Sequence, residues 1–225
     1  MAAILFLLSC LFFLGANGLM YDQLYKSLVS DKPPPTIPMF NNSTPATVKM
    51  NLILTNVLEI NTKDMYIDAL AWLQLEWTDS RFSWDPELYG VDEIRLPQDV
   101  MWKPDIVLYN SLFIDATQDT LASVRNHGSI WTFNTIRFRT PCRRSSEHDA
   151  ILECKMKFGS WVYNNQQLDL QRKLDTTTVD FSAYEENPAW EIVNSTAILN
   201  VVEYECCPEA YSDITYTLRF RQRQD

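Results

Sequence analysis

Apolar and polar side chains alternate with a period of two through most of the chain after residue 47. Val48, Met50, Leu52 and Leu54 alternate with Lys49, Asn51 and Thr55, and Ile214, Tyr216, Leu218 and Phe220 alternate with Thr215, Thr217, Arg219 and Arg221. Such alternation predicts strands that turn one face to a core. Further strand candidates are 65–77, 106–114, 120–125, 130–139, 152–158 and 197–205, with turn signals such as Asp85-Pro86 and Asn126-His127-Gly128 between them. Ahead of the strands, Tyr21, Leu24, Tyr25 and Leu28 recur at helical spacing, and Pro33-Pro34-Pro35 with Pro38 stop any helix there. The expected fold is all-β, an immunoglobulin-like antiparallel β-sandwich with a short N-terminal α-helix.

Two strands break the pattern in an informative way. Alternation through Trp72-Leu73-Gln74-Leu75-Glu76-Trp77 puts Leu73, Leu75 and Trp77 on one face and Trp72 with Gln74 and Glu76 on the other. Along residues 130–137, Trp131 and Phe133 share the face of Thr135 and Arg137, opposite Ile130 and Ile136. Large aromatics on a solvent-side face point to contact with another molecule, or to a cross-strand pair that merely covers the sheet. Other rings cluster near turns, in Trp102-Lys103-Pro104-Asp105 leading to Tyr109, in Phe158-Gly159-Ser160-Trp161, and in Tyr204 and Tyr211. Electron-rich rings that converge can cage a desolvated cation, each face contributing roughly 0.5 to 2 kcal/mol.

The first residues change the compartment. An apolar run from Ala2 to Leu14, followed by Ala16-Asn17-Gly18, reads as a signal peptide over residues 1–18, leaving 19–225 as one domain. No later apolar stretch has membrane-spanning length, so the expected product is secreted, extracellular and not inserted in a membrane. Acceptor sequons at Asn41, Asn42 and Asn194 agree with that route. The net charge of −10 argues against a nucleic-acid partner and favours cationic ligands at long range. With Cys10 in the leader, four cysteines remain, which allow three connectivities. The adjacent pair Cys206-Cys207 can close only a small strained ring, a stiff tip for a hairpin more than a staple, or each thiol can pair with a distant partner. The simplest pairing joins Cys142 to Cys154, around an 11-residue polar loop, and Cys206 to Cys207.

Taken together, Trp102-x-Pro104-Asp105, Lys157-Phe158-Gly159-Ser160-Trp161, Tyr204-x-Cys206-Cys207 with Tyr211, the Trp72 to Trp84 region and the Cys142 to Cys154 loop resemble the extracellular ligand-binding domain of nicotinic acetylcholine receptors. Within that superfamily the chain is most similar to the soluble acetylcholine-binding proteins of molluscan type. The resemblance covers essentially all of residues 19–225. It implies a homopentamer that binds acetylcholine or a similar cationic small molecule at subunit boundaries. Tyr109, Trp161, Tyr204, Cys206, Cys207 and Tyr211 would form the principal side of each site. Trp72, Gln74, Ser123, Trp131, Phe133 and Asp180 would form the complementary side, supplied by the neighbouring subunit. Asp105 and Lys157 would hold the loops. The alternative is the extracellular domain of a channel subunit.

The Cys142 to Cys154 loop is shorter than in the channel subunits and lacks their Phe-Pro centre, and Trp131 and Phe133 are bulky where relatives often carry aliphatic residues. An enzyme is not expected, and neither is a cofactor. The two histidines, His127 and His148, form no Ser-His-Asp or phosphate-binding constellation. No metal is expected either, since Glu147-His148-Asp149 are consecutive and consecutive side chains rarely converge on one ion.

Overall fold

The computed structural model describes residues 18–30, 35–38, 44–116, 120–145, 150–173, 177–203, 205 and 208–224. Residues 1–17, Asn41, Asn42, Glu147, His148, Asp149, Tyr204, Cys206, Cys207 and Asp225 lie outside the described residues. Helix α1 (residues 18–30) lays Leu24 and Leu28 into the core, as its spacing predicts. Strands then dominate: β1 (Ala46–Asn61), β2 (Tyr66–Ser83), β3 (Glu93–Pro97), β4 (Ile106–Leu108), β5 (Phe113–Ala116), β6 (Leu121–Arg125), β7 (His127–Arg144), β8 (Ile151–Ser160), β9 (Leu168–Arg172), β10 (Trp190–Glu203) and β11 (Ala210–Gln222).

One side of the sandwich is built on the antiparallel pairing of β1 with β2 and of β2 with β7, extended by β9, β6, β3 and β5. The other joins β10, β11, β8 and β4. The last residues of β7 pair with β8 and close the first side onto the second. Between them lie Phe82, Phe138, Phe158, Tyr216 and Phe220, each under about a fiftieth exposed. Burying each such side chain contributes about 1.5 to 3 kcal/mol. At the closure Cys142 and Cys154 face each other in register and form a disulfide, with Cα atoms 4.1 Å apart.

Several sequence expectations change here. The candidate 106–114 divides into β4 and the start of β5, because Asn110 turns the chain and replaces strand partners with its own side chain. Its Nδ2 donates to the carbonyl of Lys155 at 2.7 Å, and its Oδ1 accepts from the amide of Lys157 at 3.0 Å. The Asp85-Pro86 turn is a one-turn helix, α2 (Pro86–Tyr89), started by the Asp85 carboxylate on the Glu87 amide and stopped by Gly90 at φ +65°. Strands β3 and β9 are too short for alternation to reveal, and β9 runs parallel to β1 where only antiparallel pairs are expected. Asn51 and Ile53, on the outer face of β1, are buried because the segment around Asp180 bridges to Ile53 and covers them. Gly128, between β6 and the body of β7, sits at φ +82° with a would-be Cβ 2.4 Å from the Asp79 carbonyl, so this corner admits no side chain.

Charged groups tie the strands from outside. The buried Asp68 carboxylate accepts from Arg137 Nε and Nη2, both at 3.0 Å, and from Arg139 Nε at 2.8 Å. Burial pushes the Asp68 carboxyl up, but the two arginines outweigh it and hold it below the usual carboxylate range. Glu153 behaves alike, burial opposed by Arg143 and Arg219, with a net lowering. A depressed folded pKa contributes stability above the unfolded value, about 4, and loses it as pH falls through the folded value. Urea midpoints of the wild type should therefore drop through that acid range, whereas Asp68→Asn should be less stable at neutral pH and lose less on acidification. Equal acid slopes for both proteins would show that Asp68 does not contribute.

Candidate ligand-binding site

The clearest local device is the loop that follows β8. Ser160 Oγ donates to Asp105 Oδ1 at 2.6 Å, and the amides of Trp161 and Val162 donate to Asp105 Oδ2 at 3.0 and 2.8 Å. The Ser160 hydroxyl in turn accepts from the Tyr163 amide at 2.8 Å. One carboxylate thus fixes three consecutive residues, and charge-assisted bonds of this kind contribute more than neutral ones. The result is that Trp161 stands 72% exposed on a held backbone. A ring of that size left in water without being mobile at its base is a surface built for contact.

Tyr109 follows β4 and lies beside it. Its ring centroid is 6.0 Å from that of Trp161 at 62°, and its hydroxyl donates to the Ser160 carbonyl. Gly159 makes this possible: a Cβ there would sit 2.4 Å from the Tyr109 hydroxyl oxygen and 2.8 Å from Cζ. Lys157 Nζ stands 5.7 Å from the Tyr109 centroid and 3.1 Å from Asp213, whose buried carboxylate also accepts from Asn200 Nδ2 and Thr215 Oγ1, each at 2.8 Å. Tyr211 opens β11 opposite Val202 in the β10–β11 hairpin. The tip of that hairpin, with Tyr204, Cys206 and Cys207, falls outside the described residues.

The outer face of the other sheet carries a second group, arranged in rows across the strands. Asn51, Gln74 and Phe133 form one row over β1, β2 and β7; Lys49, Glu76 and Trp131 form the next, continued by Ser123 on β6; Ile53, Trp72 and Thr135 form a third. Trp72 and Phe133 are exposed, Trp131 is half-buried, and Gln74 is buried between its row neighbours. Ser123 is committed within the chain, donating to the Glu93 carboxylate and accepting from Arg95 Nη1 at 3.1 Å. Asp180 is too: its carboxylate accepts from Asn51 Nδ2 at 2.8 Å and from the Ser182 amide at 2.9 Å, pinning its segment to β1. Burial pushes the Asp180 carboxyl up, and the bonds from Ser182 and Asn51 bring it below the ordinary value.

Three charged residues at this face, Arg125, Lys173 and Glu93, escaped the sequence reading. Arg125 has its Cζ 4.6 Å from the Trp131 centroid and Lys173 its Nζ 5.3 Å from it, while Glu76 pairs with Lys173 at 2.8 Å and Glu93 with Arg125 at 4.0 Å. Alternation already put Glu76 on the face of Trp72. Nothing local could bring Lys173 there, since it follows β9, whose strand partner among the described residues is β1. Asn194 is exposed on β10.

Residues 21–224 match the model of the neurotransmitter-gated ion-channel ligand-binding domain, and the chain belongs to that family of ligand-binding domains. It is 34% identical over 223 residues to the acetylcholine receptor subunit alpha-type acr-16 of Caenorhabditis briggsae, covering 96% of this chain and 44% of the relative. To the neuronal acetylcholine receptor subunit alpha-10 of Rattus norvegicus it is 31% identical over 217 residues, covering 93% and 48%. The chain thus spans about half the length of the curated relatives it matches. A solved structure described as Capitella teleta AChBP in complex with lobeline superposes with a TM-score of 0.81 at 27% identity, covering 92% of this chain and 99% of that one. No helix among the described residues is long and apolar enough to cross a membrane.

The Asp105 clamp yields a direct test. Asp105→Asn removes the charge from bonds worth about 1.5 to 3 kcal/mol each. Amide hydrogen exchange at Trp161 and Val162 should accelerate by about tenfold or more, with strands β2 and β7 unaffected. Unchanged exchange at those two amides would mean the loop is held by something else.

Proposed function

We infer that the protein binds acetylcholine or a related cationic amine in aromatic cages at the boundaries of a ring of five like subunits. Trp161, held in solvent by the Asp105 clamp, carries this reading. With Tyr109 and Tyr211, and with Tyr204, Cys206 and Cys207 of the hairpin tip, it forms the principal half. Trp72, Gln74, Phe133 and Trp131, supported by Ser123 and Asp180, form the complementary half on the other sheet. Each group is half a cage, so a site is completed only by a neighbouring copy, and a head-to-tail contact that repeats by rotation closes a ring. The acidic surface draws cations toward it.

The protein would act as a secreted binder that sequesters its ligand, as the likeness to an acetylcholine-binding protein along 99% of that chain supports. A second reading is favoured by the curated relatives, which are receptor subunits about twice as long: the same cage would then belong to the extracellular part of a nicotinic-type channel subunit. Sequencing the transcript across the codon for Asp225 separates the two. A stop codon supports the secreted binder, and an open frame leading to apolar helices supports the subunit.

Assembly is checked by light scattering on the deglycosylated protein, which should give five chain masses or a multiple. A monomer that binds ligand tightly would contradict the boundary site. The cation is checked by calorimetry, comparing acetylcholine with an uncharged isostere that carries a tert-butyl group. Acetylcholine should bind at least about tenfold tighter, and Trp161→Phe should shrink the difference by about 1 to 2 kcal/mol without dissociating the ring. Equal binding of the two compounds would make the site a plain apolar pocket.

A further inference from the structure

Indole offers the strongest ring face for a cation, and on the complementary side the half-buried indole is Trp131. That ring already has two cations of its own chain against it, Arg125 at 4.6 Å and Lys173 at 5.3 Å. A positive group of a ligand arriving there would meet like charge. The two cations are neutralised unequally. Lys173 is firmly paired with Glu76 at 2.8 Å, both side chains less than a third exposed. Glu93 is shared among Arg95, Ser123 and Arg125, and Arg125 reaches it only through Nε at 4.0 Å with its side chain 47% exposed.

Among the described residues no hydrogen bond takes up the two terminal nitrogens of Arg125. They form the planar fork that matches a carboxylate in two-point contact. Around Trp131, three cations (Arg95, Arg125 and Lys173) therefore meet two carboxylates (Glu76 and Glu93). This is a local positive excess on a chain of net charge −10.

We propose that the ligand this site is built for carries a carboxylate at the end away from its ammonium, so that the preferred class is the zwitterionic ammonium carboxylates. The inference rests on the two-subunit site described above. The ammonium enters the ring cluster of Tyr109 and Trp161 on one subunit, where Lys157, 5.7 Å from the Tyr109 ring, is neutralised by Asp213 at 3.1 Å, and the carboxylate meets the Arg125 fork over Trp131 on the next. No bond is made or broken in binding. Double cations are disfavoured by the same arrangement.

Calorimetry on the assembled protein at about 0.15 M salt tests this with three probes: acetylcholine, 4-(trimethylammonio)butanoate and the methyl ester of the latter. The acid and its ester share the ammonium and differ only in the charge of the far end. The acid should bind about tenfold tighter than the ester. Arg125→Gln should close most of that gap, whereas Arg125→Lys should keep part of it, with thermal midpoints confirming that all three proteins are folded. If acetylcholine and the ester bind and the acid does so equally or more weakly, the inference is overturned while the cation site stands. The cations then merely pack on Trp131. Failure of all three probes to bind would remove the cation site itself, and this inference with it.

Discussion

The register of β7 is the constraint on which both candidate halves of the proposed site depend. Over most of its 18 residues it pairs with β2, and this fixes which face of the sheet presents Trp131 and Phe133. At its end the same strand leaves that sheet and pairs with β8 through Cys142 and Cys154. Strand β8 then runs directly into the Trp161 loop. A slip by one residue would turn Ile130, Ile136 and Phe138 outward and draw Trp131 and Phe133 into the core. The disulfide and the Gly128 corner stand at the two ends of β7, and both resist that slip.

Much of this was legible from residue spacing because long alternating strands announce their own faces. The buried row Ile214, Tyr216, Leu218 and Phe220, and the outward Trp72 and Phe133, follow from alternation alone. What escaped was short or non-local. Strand β9 has five residues and owes its existence to β1, and the cover over Asn51 comes from a segment 129 positions away. The Asp105 clamp could be expected from family resemblance as a residue that holds a loop, but its three acceptor contacts depend on a loop folding back across 55 to 57 positions. The two cations on Trp131 were invisible for the same reason, since Lys173 and Arg125 meet only when β9 and β6 are placed on the sheet.

The two candidate halves differ in how they handle polarity. Around Trp161 the carboxylates point inward, with Asp105 consumed by backbone amides and Asp213 by Lys157, Asn200 and Thr215. Negative charge is thereby kept near the rings yet behind them, which favours an approaching cation without giving it a fixed salt partner. Around Trp131 the ordering is reversed, with cations in front of the ring and the carboxylates of Glu76 and Glu93 at their flanks. An interface made by joining unlike faces of this kind has a built-in direction, because two principal faces or two complementary faces would meet with matching charge.

The contact between Tyr109 and Gly159 also restricts the routes by which this chain can diverge. The ring lies where the side chain of residue 159 would be, so the two positions compete for one volume. Any descendant that acquires a β-carbon at 159 while Tyr109 is present meets a steric barrier, whereas one that first shortens residue 109 meets a void. Either path costs packing at this contact, and the Ser212 carbonyl, 3.0 Å from the same would-be β-carbon, keeps position 159 tight even without the ring.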